Sequence, residues 1–335
     1  MRNGRLGLLA WSAPAVALAL SLPVMTQDSY YLHVAGSIAL NIILAASLRL
    51  ILTTGQLSMA HAGFMGIGAY TSALLVMRGG LSFWAALPAA GLMAALISCP
   101  VGYLTLRLKG PYFFLVTFAF AEALRLLFNN FWVSMLGGPP GIVGVPPPDP
   151  IAIAGWRVAF RTKVPFYYLV VSLMLVAVFV MYRLDRSRVG RIFGAIRQAD
   201  LLAETVGIDI LRYKMLAFSV GCFFAGLAGS FFAHSHSVVH ADEFGLAAVI
   251  LMVVHVVIGG AGNVFGPILG AVALTILSEL LRGLGHYQTL AYGIALVLTM
   301  LFVPEGLVGI PRKLSAWWSV VRGLHQDGER GVAGA

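Results

Sequence analysis

Long apolar runs separated by short polar breaks make up almost the whole chain. The runs are Leu6–Leu22, Tyr31–Leu52, Ser58–Val76, Phe83–Leu106, Pro111–Phe128, Pro165–Tyr182, Met215–Phe232, Gly245–Gly259, Phe265–Leu281 and Thr289–Phe302. A helix rises about 1.5 Å per residue, and a bilayer core is about 30 Å thick, so runs of this length suit spanning helices. Closed β-barrels are the other way to satisfy a backbone in lipid. Their mark is alternation over roughly ten residues, and these runs are too long and unbroken for it. The pattern predicts an all-α polytopic membrane protein of about ten transmembrane helices.

Two breaks are longer than the rest. Residues 129–164 are rich in Pro and Gly (GGPPGIVGVPPPDP). Pro blocks helix continuation and Gly loosens the backbone, so this is an extramembrane loop. Residues 183–214 (RLDRSRVGRIFGAIRQADLLAETVGIDILRYK) hold seven of the 22 Lys and Arg residues and four acids. Within them, Ile196, Leu201, Ala203 and Val206 alternate with Arg197, Asp200 and Glu204, which predicts a short amphipathic helix ended near Gly207. Such a helix either docks on a partner or lies on the membrane surface. Residues 1–309 read as one transmembrane domain and residues 310–335 as a polar tail.

Composition narrows the class. The chain of 335 residues is 59% hydrophobic and 10% charged, with mean hydropathy +0.90. Soluble domains carry about 25% charged residues, and so little charge cannot coat a soluble surface. The net charge of +9 is not a nucleic-acid signature, because the basic residues cluster at helix ends. With ten spans and the N-terminus inside, sixteen of them fall on the cytoplasmic side and five (Arg78, Arg157, Arg161, Lys163, Arg282) on the other, with Arg125 inside a span. That bias supports an N-in, C-in topology, with segment 183–214 in the cytoplasm and segment 129–164 outside. Arg2 and Arg5 before an apolar run also describe a signal peptide, but Pro14 and Pro23 fit a retained first span at least as well. Cys99 and Cys222 lie in apolar runs and read as buried spectators rather than a disulfide.

An active transporter needs an energy source. A P-loop ends in Gly-Lys followed by Ser or Thr. Here Lys109, Lys163, Lys214 and Lys313 are followed by Gly, Val, Met and Leu, so no P-loop exists. Ion-coupled carriers bury ionisable groups at mid-membrane, yet Glu122–Arg125 and Glu279–Arg282 are i, i+3 pairs that neutralise each other. Energy therefore has to arrive through a partner. His234, His236, His240, Asp242 and Glu243 cluster in a short outer loop, but their spacing matches no strong ligand pattern and no metal is assigned. No catalytic arrangement stands out, so an enzymatic role has no support.

Glycine supplies the remaining pattern. Gly63, Gly66 and Gly68, and Gly262, Gly266 and Gly270, strip side chains from helix faces so that backbones can approach; Gly221, Ala225 and Gly229 do likewise. Gln56, Ser58 and His61 open the first of these stretches. Polar groups at a Gly-rich helix N-terminus can line a substrate pathway, where exposed amides favour a carboxylate; tight packing with internally bonded caps is the plainer use.

NIILAASLRLILTTGQLSMAHAGFMGIGAYTSALL, LRLKGPYFFLVTFAFAEALRLLFNN, AIRQADLLAETVGIDILRYKMLAF and GGAGNVFGPILGA followed by FVPEGLVG together resemble the branched-chain amino-acid ABC transporter permeases, of the LivM-type subunit. The resemblance covers Asn41 to Gly309, in matching order. It implies a coupling loop over Ala195–Gly207 that sits in a groove on a cytoplasmic ATPase, with Ala195, Arg197, Asp200, Ala203, Glu204 and Gly207 as coupling residues. The family's EAA run is reduced here to Ala203-Glu204-Thr205. Arg49 stands where many relatives have a small polar residue, and Thr53-Thr54 replaces a Gly-Tyr-like pair. The resemblance further implies a second permease subunit, two ATPase subunits that carry ATP and Mg, a periplasmic binding protein, and a bacterial inner-membrane location; this chain itself would hold no cofactor. A branched-chain amino acid is the implied substrate. Related permeases handle urea, short amides or other amino acids, and an ion-coupled carrier acting alone is the rival of another class.

Overall fold

Capping and punctuation residues mark where the helices start and stop. In a computed structural model, which describes residues 20–23 and 28–285 apart from 109, 154–155, 159 and 161, and scattered positions from 287 to 307, the chain is mostly helical. Helix α1 (Ser29–Leu52) is opened by Asp28, whose carboxylate accepts from the Tyr30 amide at 3.1 Å, as an N-cap should. Helices α2 (His61–Met77), α3 (Phe83–Thr105) and α4 (Pro111–Asn130) follow. Pro at the first position of α4 needs no amide partner there. After a short turn of helix, α5 (Val133–Leu136), come the strands β1 (Ile142–Val143), β2 (Ile151–Ile153) and β3 (Trp156–Val158). Then come α6 (Lys163–Arg186), α7 (Arg188–Gln198), α8 (Asp200–Thr205) and α9 (Ile210–His236). Strand β4 (Val238–Val239), a 3-10 turn (Ala241–Phe244), α10 (Leu246–Gly259) and α11 (Phe265–Leu280) complete the series.

The chain forms two compact units, divided at Val253/Val254. In the first, α9 is the hub: α1, α2 and α3 all pack on it, and α6 packs on α1. Helix α2 is buried along almost its whole length. By contrast α3, α4 and α6 present exposed Leu92, Leu96, Leu104, Leu115, Leu126, Val176 and Phe179. An apolar skin over an apolar core is what lipid, not water, permits. Trp84 and Tyr103 stand near the two ends of α3, and Tyr112 and Phe131 near those of α4. Each pair is nineteen positions apart, about 29 Å along a helix, matching a bilayer core with aromatics at its boundaries. Among the described residues six helices are long and apolar enough to cross a membrane, and α2 and α11 are shorter apolar helices. The expected first and tenth spans and the tail 310–335 lie largely outside the described residues.

Small residues set the spacing at the hub. A Cβ on Gly68 would run into the backbone of Gly226, and one on Gly229 into the carbonyl of Met65. A Cβ on Gly221 would meet Ile51 and the Ser47 carbonyl of α1, and one on Gly226 would meet Ala90 and Ala94 of α3. Gly63 faces Leu124 and Ala121 of α4, while Gly66 faces Phe244 and Phe128. So α9 uses different glycines for different neighbours. In the second unit Asn263 Oδ1 accepts from the amides of Phe265 and Gly266 at 3.0 and 3.1 Å, capping α11. Gly259, Gly266 and Gly270 then bring α10 and α11 into backbone contact. Gly262 stands apart from the expected packing face: it lies in the turn before α11, and among the described residues nothing stands within 4 Å of where its Cβ would be. A glycine outside the helix cannot share its packing face.

The Pro-rich stretch is more tethered than a plain loop. Strand β1 pairs antiparallel with β4 (Ile142↔Val239), and β2 forms a hairpin with β3. The Phe83 amide donates to Asp149 Oδ2 at 2.9 Å and Trp84 Nε1 to the Asp149 carbonyl at 3.1 Å. His234 Nδ1 meets the Pro146 carbonyl at 2.6 Å, and its Nε2 meets Ser72 Oγ at 3.0 Å. Pro-rich backbone has few amides to offer, so side chains and strand ends of the bundle hold it instead.

Candidate coupling surface

The charged insert lies at the end of the first unit opposite the Pro-rich segment. Its polar span is shorter than expected from charge, because α6 continues to Arg186 and α9 already begins at Ile210. Where the spacing predicts one amphipathic helix over Gly194–Gly207, the structure has two. Ser187 caps α7 by accepting from the Gly190 amide at 3.3 Å. Ala199 is extended (φ −158°, ψ 93°) and breaks the helix, and Asp200 accepts from the Leu201 amide at 2.9 Å as α8 starts. Gly207, at φ +83°, ends α8, with its amide on the Glu204 carbonyl and that of Ile208 on the Ala203 carbonyl. Two successive amides closing the last turn on a left-handed glycine form a Schellman-type stop.

The two helices are anchored on one side and bare on the other. Phe193 and Ile196 of α7 and Ala203 of α8 are buried. Ala195, Arg197, Glu204 and Gly207 are exposed, and Asp200 is half-buried. Leu201, Leu202 and Val206 are 66%, 68% and 74% exposed. Three bare aliphatic side chains on one turn of helix beside Glu204 form a small sticky surface with an acidic edge. Asp200, Glu204 and Gly207 also line a cleft of about 430 Å³, together with Leu106 and Arg107 after α3 and Lys214 of α9.

An ion pair ties the insert to α1. Arg49, in the last turn of α1 and 3% exposed, donates through Nη1 and Nη2 to the two carboxylate oxygens of Asp185 at 3.2 and 3.3 Å. Six residues beyond Arg49, the turn at Gly55 lies against Arg197: a Cβ on Gly55 would be 3.6 Å from the Arg197 Cα.

The expected pathway residues follow that turn. Gln56 and Ser58 are buried, and His61 is fully buried. His61 Nε2 is 2.8 Å from Ser47 Oγ on α1, the Ala60 amide donates to Ser58 Oγ at 3.3 Å, and the Met59 amide donates to Thr117 Oγ1 of α4 at 3.1 Å. Helix α2 starts at His61 rather than Ser58 because Ser58 and Met59 spend their polar groups on these bonds.

The other candidate groups disperse. Arg125 bridges Glu122 on its own helix and Asp242 in the 3-10 turn, which also accepts from Asn129. Arg282 donates to Glu279 at 2.9 Å. His236 stacks on Phe232 at 4.2 Å and contacts its carbonyl. Sequence reasoning missed the Arg49–Asp185 pair and the Asp242 contact. Both join residues more than a hundred positions apart, and no local spacing signals them.

The model of the branched-chain amino acid transport system permease component family matches residues 30–304. The high-affinity branched-chain amino acid transport system permease protein LivM of Escherichia coli (strain K12) is 35% identical over 317 residues, 89% of this chain and 74% of that protein. Its Salmonella typhimurium counterpart is 34% identical over 311 residues, 87% and 71% of the two chains. The permease protein LivH of Salmonella typhimurium is 24% identical over 286 residues, 77% and 87%. No solved structure matches the chain. With the family model matched over most of its length and the LivM proteins 35% and 34% identical to it, the chain belongs to the family of branched-chain amino acid transport permease components.

Proposed function

We propose that this permease subunit works in an ABC importer of the bacterial inner membrane and carries branched-chain amino acids inward, with ATP and Mg held on two cytoplasmic ATPase subunits. The observation that carries this reading is the bare aliphatic surface of α8 at the insert end of the bundle. Apolar side chains left in water are costly, and a partner groove removes that cost. In this reading the chain has about ten spans with both termini inside, so the insert faces the ATPases and the Pro-rich segment faces a periplasmic binding protein. The partner permease is a second, different subunit: Salmonella typhimurium has both a LivM and a LivH permease protein in its named system.

Reconstitution tests the proposal. Proteoliposomes holding the chain with its co-encoded permease, ATPases and binding protein should accumulate tritiated leucine only with ATP. Uptake by this chain without ATPases would overturn the reading in favour of an autonomous carrier.

Glu204 gives a narrower test. It is exposed at the edge of the α8 surface, so Glu204→Arg should leave folding intact. Losing a charged contact and adding repulsion should lower leucine uptake by about tenfold or more while ATP hydrolysis persists. Normal uptake at normal ATP cost in that variant counts against α8 as the contact.

A further inference from the structure

A buried guanidinium keeps its charge, so it needs a carboxylate in place at every stage of a working cycle. Arg49 has that carboxylate in Asp185, held by two parallel bonds. Asp185 is the penultimate residue of α6, two residues before the Ser187 cap of α7. The corner is stiff: a Cβ on Gly190 would run into the Asp185 carbonyl, and the Ser187 amide closes on the Leu184 carbonyl at 3.0 Å. At the other end of α7, Arg197 stands close to the turn at Gly55, where a Cβ would lie 3.6 Å from the Arg197 Cα. The insert is therefore bonded to α1 at Asp185, shortly before α7, and comes close to the turn after α1 at Arg197, near the far end of α7. The chain then runs from Gly55 directly into Gln56, Ser58 and His61, and His61 bonds back to Ser47 of α1.

We propose that the Arg49–Asp185 pair and the Gly55–Arg197 contact make the insert and the α1–α2 corner move as one body, so that a displacement of α7–α8 is delivered to the Gln56–His61 segment. Arg49 and Asp185 are then positioning residues for coupling rather than mere stabilisers of the inner end of the bundle. The inference rests on the reading of α7–α8 as the ATPase-coupling element.

Two measurements in the reconstituted four-component transporter test it. The first is the number of ATP molecules hydrolysed per tritiated leucine imported. Asp185→Asn and Arg49→Gln should each raise that ratio by at least about fivefold, and the exchanged pair Arg49→Asp with Asp185→Arg should return it most of the way. A purely structural pair would lower hydrolysis and uptake together and leave the ratio unchanged, which overturns the proposal.

The second measurement does not depend on the charge variants folding. The Cβ positions of residues 55 and 197 are 4.0 Å apart, within disulfide range. With Cys99 and Cys222 replaced by alanine, Gly55→Cys with Arg197→Cys should cross-link on oxidation, and the oxidised and reduced forms of that protein should hydrolyse the same number of ATP molecules per leucine imported. Failure to cross-link, or uptake that stops on oxidation and returns on reduction, means that the insert slides on the corner and overturns the proposal. If instead the wild-type transporter imports leucine without its ATPases, the functional reading fails first, and the two failures are told apart.

Discussion

Replacing Gly229 by leucine is expected to leave no folded bundle. Its Cβ position falls on the Met65 carbonyl of α2, and three residues away the Gly68–Gly226 approach is similarly close. The obstacle at both places is backbone, which cannot turn aside as a side chain can. Helices α2 and α9 would have to separate, losing the Phe64–Phe218 edge contact at 5.5 Å and the Ser230–Ser72–His234 chain of bonds at 2.7 and 3.0 Å. Overpacking in a core costs about 1–3 kcal/mol when side chains can shift. Parting two buried helices should exceed the roughly 4 kcal/mol that marks exceptional variants, out of a total stability of about 5–15 kcal/mol. Size-exclusion chromatography of solubilised protein should lose its monodisperse peak. Gly262→Ala, with open space around it and no positive φ, should behave as wild type. A Gly229→Leu protein that melts at the wild-type temperature would show that α2 and α9 are not in backbone contact.

That contact was only half legible in the sequence. Small residues at four-residue spacing announce a packing face, and Gly221 and Gly229 do face neighbouring helices. Spacing could not say that the two face different helices. Nor did it single out Gly226 and Gly91, which meet where α9 crosses α3. Helix limits were far plainer: α3, α4 and α11 start at the residues their apolar runs predict, since Pro and polar breaks mark them locally. The eight apolar helices described here correspond to eight of the ten predicted runs.

The insert shows where local reading stops. Its amphipathic character and its Gly207 stop were visible in the residue order, because both are set within one or two turns of helix. The break at Ala199 was not, because Ala is an excellent helix former and only the competing start at Asp200 ends α7 there. The Asp185 partner of Arg49 was invisible for another reason. An ion pair across 136 residues depends on how α1 and α6 pack, which no window of sequence contains. The pairing of β1 with β4 is of the same kind: two-residue strands carry no periodicity to detect.

The aliphatic face of α8 yields the second large effect. Replacing both Leu201 and Leu202 by aspartate should abolish co-purification of the ATPase subunits and, with it, ATP-driven uptake of leucine. The size-exclusion peak of the solubilised subunit should be unchanged, because both side chains are about two-thirds exposed in the isolated chain and support little of its own core. Burying a leucine contributes about 1.5–3 kcal/mol. Losing two and placing two carboxylates against an apolar groove should weaken docking by at least about a hundredfold. Ala203 is buried beneath the same helix, so changes there act on the fold of the insert and do not test docking. A surface-lying helix predicts a different outcome for the Leu201/Leu202 variant. Lipid would then be the lost partner, the ATPases would still co-purify, and only the attachment of the insert to the bilayer would change. Co-purification at wild-type yield would therefore remove α8 from the ATPase interface.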